Sequence, residues 1–316
     1  MLRIAAARLL VSVAAAASFA AFLGPWWWQG ELLASFRPHL AALALVCAVV
    51  CLLLWRPLPA LGLVAVAALN VAPVVLAYRG APAPAQAGAP TLRIAHQNAQ
   101  GGFGGPVRIL EHLQDDPTDV LVVLDPAPDW AVFLRDAAPV LGYELVLPTS
   151  GAADDRVLVL SRVPLLDVRA PQQAGLPPSA VEMTATLGQE PVRLLAVHTR
   201  NPLTPERWRL RNDQLHAIAR WVEDQQDPTV VLGDLNVVPW SPTFARFEHE
   251  SGLVSSTLGE GIQVTWPYRT PWTRRLGIPI DQLLHSPELT TVARRVDPTY
   301  GSEHGVLVVT LAPSAT

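Results

Sequence analysis

The feature that most constrains this chain is the near absence of charge from its first quarter. Of the 27 acidic residues, only Glu31 precedes Pro82, and of the 23 basic residues only Arg3, Arg8, Arg37, Arg56 and Arg79 do. A stretch of about eighty residues so poor in charge reads as a membrane unit. Three apolar runs divide it. The first covers residues 9–23 and continues into Trp26, Trp27 and Trp28, an aromatic cluster suited to headgroup level. The second covers 40–55 and is short for a span; the third covers 57–78. Arg56 and Pro57 alone separate these two, which predicts a tight helical hairpin. A cleaved signal peptide is the competing reading of the first run, and the two runs close behind it argue against that. Arg3, Arg8 and Arg56 against Arg37 and Arg79 place the N-terminus inside. The expectation is a multi-pass unit of about three transmembrane helices (residues 1–80) in the cell membrane, holding the lipid bilayer, with the C-terminal domain outside the cytoplasm.

Cys47 and Cys51, four apart, share a helical face within the second run. They read as small apolar residues of a membrane helix in preference to a redox or metal pair. Residues 81–91, opening APAPAQAGAP, read as an extended linker. Beyond Ala81 the chain holds 26 acids against 18 arginines and no lysine, a formal charge of −8. That balance argues against non-specific binding to a polyanion.

From residue 92 to 316 the pattern is one of short apolar strands. TLRIA (91–95), DVLVVLD (119–125), VLVLSR (157–162), VEMTATL (181–187), VRLLAVH (192–198), TVVLGDLN (229–236), IDQLL (280–284) and GVLVVTL (305–311) are the candidates, with a Gly-rich loop at 101–105. Residues 208–224 carry the helical period, with Leu210, Leu215, Ile218, Ala219 and Val222 on one face. Continuous apolar strands are buried on both faces, which predicts two packed sheets flanked by helices. His198, Asp125 and Asp234 end their strands, so the chemistry is expected at one edge of that sandwich.

Singly, these polar residues read as turn formers, caps or ordinary histidines. Their order is more specific: a strand ending near Asn98, one ending at Asp125, then His198, Asp234-x-Asn236, Asp281 and Glu303-His304. With LRIAHQNAQ, RNDQL, GDLNVVPWSP and GSEHG, this series resembles the endonuclease/exonuclease/phosphatase superfamily, which includes deoxyribonuclease I. TWP at 265–267 further resembles a bacterial subgroup with N-terminal membrane segments. The resemblance implies an α/β fold, a four-layer α/β/β/α sandwich, and a phosphoesterase using Mg²⁺ or Mn²⁺. It implies metal ligands at Asn98, Asp125 and Glu303, oxygen donors suited to such ions. It assigns the attacking water to Asp234, phosphate contacts to Asn236, His198 and His304, and orientation of His304 to Asp281. No residue suggests a covalent phospho-enzyme, so direct attack by water is the expected route.

Two acids depart from the family pattern. Asp125 stands where Glu is usual, and Glu303 where Asp is usual, which suggests a swapped pair with Glu303 reaching toward the cation. Gly305 stands in place of a common arginine and suggests a more open rim. Arg200 is the candidate substrate-binding arginine, whereas Arg207 and Arg211 read as the solvated face of the following helix. Trp266, Trp272 and Arg269 read as stacking or packing residues. The expected substrate is a phosphate ester: a lipid headgroup, a small ester or nucleic acid. The alternative is a non-catalytic domain of the same fold that binds a phosphorylated ligand. No protein partner is expected.

Overall fold

The computed structural model describes residues 2–100, 102, 105–148, 156–299 and 301–315. The expected Gly-rich loop lies mostly outside them. Four helices come first: α1 (Leu2–Phe22), α2 (Trp28–Ser35), α3 (Arg37–Leu53) and α4 (Pro57–Ala77). α3 and α4 form the hairpin read from Arg56-Pro57. α2 is an addition to the expected runs: a short helix between the first and second, bent by 71° from α3. Small residues line the inside of this bundle, among them Ala14, Ala41, Ala44, Cys47, Ala48, Cys51 and Ala67. Bulky apolar side chains such as Leu43, Val46, Leu53, Leu61 and Leu76 face outward. Asn70, fully buried, donates to Ser18 Oγ (2.7 Å) across α4 and α1. Among the described residues, α4 alone is long and apolar enough to cross a membrane, reaching a mean hydropathy of 2.3; α2 and α3 pass only as one bent pair.

The remainder runs β1 (Leu92–Asn98), α5 (Gly105–Asp115), β2 (Val120–Leu124), α6 (Trp130–Ala137), β3 (Glu144–Val146), β4 (Val157–Ser161), β5 (Leu166–Arg169), β6 (Val181–Leu187), β7 (Glu190–His198), α7 (Pro205–Glu223), β8 (Thr229–Asp234), α8 (Pro242–Ser251), β9 (Val254–Ser255), α9 (Pro271–Arg275), β10 (Asp281–His285), β11 (Leu289–Asp297) and β12 (Val306–Pro313). Two mixed six-stranded sheets result, ordered β11-β12-β1-β2-β4-β3 and β5-β6-β7-β8-β10-β9. Alternate residues of each central strand serve different cores. Ile94, Val122, Val159, Leu194 and Leu232 meet between the sheets. Ala95, Leu121 and Leu158 face Ile109, Leu113 and Trp130 of α5 and α6. Leu195, Val231 and Leu284 face Leu215, Ile218 and Phe244 of α7 and α8. Each large side chain so buried stabilises the fold by roughly 1.5–3 kcal/mol. This double burial is why the strands read as unbroken apolar runs, and the expected two sheets flanked by helices are present.

The bundle and the sandwich share a surface. Val74, Ala77 and Tyr78 of the α4 end pack against Val238, Trp240, Ile278 and Ile280. The linker is extended, and it pairs with the end of the chain: Gln86 N–H donates to Pro313 O (3.0 Å) and Ala315 N–H to Pro84 O (2.8 Å).

One helix reading requires correction. In α7 the buried face includes Arg211, which is fully buried, while Leu210 is 43% exposed. The apolar period tilted the expected face by one position, because an ion pair with Glu31 brings the guanidinium inside.

Candidate active site

Register places the site. In the second sheet His198 of β7 lies opposite Asp234 of β8, and Asp234 lies opposite Asp281 of β10. In the first sheet Asn98 lies opposite Leu124, one residue before Asp125. Five strand ends, two from one sheet and three from the other, therefore deliver the three aspartates, Asn98 and His198 to one edge. Gly233 makes this approach possible: its φ is +141°, and a Cβ there would sit 1.9 Å from Val197 O. Only glycine tolerates that conformation and that contact.

Asp234 is at the centre. Its Oδ2 accepts from Asn98 Nδ2 (3.0 Å) and lies 3.4 Å from His198 Nε2 and 3.9 Å from His304 Nε2. Its Oδ1 accepts the backbone N–H of Asn236 (3.0 Å). Each imidazole is then held from behind by a different carboxylate. His198 Nδ1 donates to Asp125 Oδ2 (2.7 Å), and His304 Nδ1 to Asp281 Oδ2 (2.8 Å). Asp281 carries a second histidine, because His96 Nε2 donates to its Oδ1 (3.0 Å). Thr265 Oγ1 accepts the N–H groups of Ile280 and Asp281 (3.1 and 3.0 Å) and fixes the start of β10.

Burial and charge compete at every one of these groups. Burial pushes Asp234 up, and the neighbouring Asp281 charge pushes it the same way. Burial also acts to raise Asp281, yet the facing His304 and His96 hold it well below the carboxylate range. For His304 burial works downward, and the charge and hydrogen bond of Asp281 overcome it, raising the imidazole to about 9. His198 is raised against burial by Asp125 and Asp234, and Asp125 is lowered against burial by His198. The result is two imidazoles biased toward their protonated forms, facing a carboxylate of raised basicity, an arrangement able to bind a phosphate and deprotonate water.

The structure brings together Asn98, Asp125, His198, Asp234, Asn236 and His304 around one cavity of about 310 Å³. Asp281 stands behind His304, fully buried. Asn236 (φ 49°) donates one Nδ2–H to Thr199 O (2.9 Å) and keeps a second for a ligand. Glu303 is not among the cavity residues; its side chain is exposed, and its carbonyl accepts from Tyr268 N–H. Arg200 is also exposed and outside the lining, its backbone N–H donating to Gln214 Oε1 (2.8 Å). Trp266 lines the cavity, whereas Trp272 is 73% exposed beneath Arg275. Gly305 does not open the rim: a Cβ there would meet Val296 Cγ1 at 2.6 Å and the Tyr268 ring at 3.0 Å.

The donors suit a hard cation. Asn98 commits its amide N–H to Asp234, its Oδ1 accepts the Gln100 backbone N–H (3.2 Å) and keeps a second lone pair, and Asp125 has one oxygen beyond its bond to His198. Two oxygen ligands fit an ion such as Mg²⁺, which keeps several waters. Asp234, Asp281 and His304 offer donor atoms within 4.8 Å of one another. Both Asp281 oxygens are already taken by histidines, so we read that trio as a hydrogen-bonded relay and not as a ligand shell.

Sequence reasoning gave no role at the site to His96, Thr265, Glu31 or the residues of α2. His96 had a signal: it lies two residues before Asn98 on one strand, hence on the same face. Glu31 had one too, as the lone acid of the apolar quarter.

Solved structures share this fold. D. rerio TDP2 complexed with a single-strand DNA product is 16% identical with a TM-score of 0.57, covering 70% of this chain and 98% of that one. An AP endonuclease from Archaeoglobus fulgidus is 17% identical at 0.56, covering 69% and 98%. The 3'-5' exonuclease NExo from Neisseria meningitidis is 21% identical at 0.55, also covering 69% and 98%. No curated protein matches the sequence. Residues 95–304 match the Endonuclease/Exonuclease/phosphatase family, spanning the strands and loops that build the site just described. The chain belongs to that family.

Proposed function

We propose that the chain is a membrane-anchored, divalent-metal-dependent phosphoesterase that cleaves its substrate by direct attack of water. The observation that carries this reading is the Asp234 carboxylate set beneath two histidines, each oriented by its own acid. Asp234, buried and pushed toward protonation, accepts a proton from the attacking water. His304 and His198, both favoured toward the protonated form by their acids, donate from Nε2 to the phosphoryl oxygens, and the free Asn236 N–H adds a third donor. Asp281 keeps the His304 tautomer fixed and stabilises its charge. Asn98 and Asp125 would hold a Mg²⁺ or Mn²⁺ ion, which supplies Lewis-acid polarisation of the phosphate.

Membrane anchoring rests on the inverted bundle, with small residues inside and leucines and valines outside. In water such a surface would drive aggregation. Three crossings by α1, α3 and α4 with the N-terminus inside would put the catalytic domain outside the cytoplasm; the arginine distribution supports this reading, while among the described residues α4 alone meets the length and hydropathy of a span. The placement of Glu303 outside the cavity favours a second reading, a phosphate-binding domain with a weakened cation site.

One assay separates the two. The full chain in detergent is given a chromogenic phosphodiester with Mg²⁺, Mn²⁺ or chelator, beside Asp234→Ala. Metal-dependent hydrolysis reduced at least 100-fold by the substitution is expected, in line with loss of a general base. Turnover that survives Asp234→Ala would sink the mechanism, and silence with every metal would favour the binding domain.

A further inference from the structure

The cavity has two unlike halves. One is the polar edge at Asp234. The other is apolar, and part of it comes from the N-terminal unit: Leu32, Ser35 and Phe36 of α2 and its C-cap face Leu203, Trp266 and Ile278 of the sandwich. This wall is built in. Glu31, 2% exposed, accepts from Arg211 Nη2 (3.0 Å), Ser241 Oγ (2.8 Å) and Thr243 Oγ1 (2.8 Å). Trp240 Nε1 donates to Ala34 O (2.9 Å). The Pro-Trp-Ser run after Asn236 is thus the seat of α2. Arg211 also donates to Asn236 O (2.7 Å), so one guanidinium links α2 to the catalytic loop.

Among the described residues, no arginine lines the cavity, and the chain has no lysine. A polynucleotide needs cations along the phosphates flanking the scissile one, and the acidic balance of residues 82–316 adds to that mismatch. The apolar wall instead continues out of the cavity. Beyond Phe36, the cap between α2 and α3, α3 carries further exposed apolar side chains, among them Leu43, Val46 and Val50.

From this geometry, and resting on the phosphoesterase reading above, we propose that the substrate is an amphiphilic phosphate ester of the phospholipid type. Its phosphate lies at Asp234 and His304, and the first segment of its alkyl chain lies against Leu32, Phe36, Leu203 and Trp266. α2 is then a specificity element as well as part of a tether. Burying four methylenes contributes about 3 kcal/mol, so a chain-bearing ester is favoured on the order of 100-fold in kcat/KM over the same headgroup without a chain.

The test uses the full chain held in amphipol, with Mg²⁺. Rates are compared for dihexanoylphosphatidylcholine, for glycerophosphocholine, for single-stranded DNA and for a chromogenic diester. Binding is read separately, as the rise in Tm given by octyl phosphate against methyl phosphate. The expected result is a preference for the chain-bearing member of each pair. Leu32→Ser with Phe36→Ser is expected to bring that ratio toward one, and so is Leu203→Ser on the opposite, exposed wall should the α2 variant fail to fold. Hydrolysis of the diester without any chain preference, or DNA cleaved faster than the lipid, would overturn the proposal and leave the phosphoesterase reading standing. No hydrolysis, but a Tm response to octyl phosphate that the variants abolish, would overturn the enzyme and keep the ligand class. No preference in either readout would overturn the ligand class outright.

Discussion

A single half-buried carboxyl can make the stability of a fold depend on pH, and Glu248 on α8 is placed to do so. Burial raises it from 4.5 to about 7, opposed by one backbone N–H from Ser255. A folded-state value above the unfolded one means that folding takes up a proton between the two. The stabilising contribution is therefore complete below about 4.5 and is lost as pH rises through about 7. Glu248→Gln keeps the acceptor and removes the charge. The variant should match the parent at pH 4.5 and exceed its stability at pH 8 by on the order of 1–2 kcal/mol, the partial exposure of the group reducing the full linkage value. Thermal melts across that window check it; a difference independent of pH would show that Glu248 ionises normally. Asp281 illustrates the opposite case. With both oxygens on histidines it is a residue whose worth depends on partners 23 and 185 positions away, in other motifs. Asp234, Asn236 and His304 were legible because each sits in a short, distinctive string. His96 was not: its one local signal, a shared strand face with Asn98, does not separate a histidine on a carboxylate from one packed in a core.

Among elements, α7 shows how a helix can hide its main contact. Its apolar period put Arg211 in solvent, and only the distant Glu31 explains why the guanidinium is buried. Local periodicity reports the average face of a helix; it has no access to a partner 180 residues away. The same limit left β3, β5, β9 and β11 unread, since these are short or edge strands without a continuous apolar run. The central strands were legible because burial on both faces writes itself directly into composition. Removing Arg211 tests the contact. Arg211→Met leaves Glu31 charged and without a cation, a loss of about 3–5 kcal/mol that lowers Tm by roughly 10 °C. Adding Glu31→Gln removes the stranded charge, so the double variant should recover more than half of that loss. Strictly additive melting shifts would mean that the two side chains do not act as a pair.

For the molecule as a whole, the position of the N-terminal unit decides what the catalytic domain is. A tether joined by a flexible linker would leave a self-sufficient sandwich. Here the linker pairs with the chain end, α4 covers Val238, Ile278 and Ile280, and α2 closes one wall of the cavity. A fragment beginning at Thr91 therefore loses more than an anchor. It exposes an apolar patch centred on Trp240 and removes the acid that anchors Arg211, the residue that braces the Asn236 loop. We expect this fragment to self-associate with rising concentration and to bind a hydrophobic dye. Its melting transition should fall at least 10 °C below that of the sandwich in the full chain, since several apolar contacts and one buried ion pair are lost together. Activity toward a small soluble ester should fall mainly in kcat, because the loss touches the loop that positions a phosphate donor. Sedimentation, dye binding and kinetics on the fragment and the full chain check these points side by side. A monomeric fragment melting within 2 °C of the full chain, with unchanged kcat, would reduce the N-terminal unit to a tether and remove the structural basis for the lipid-type substrate.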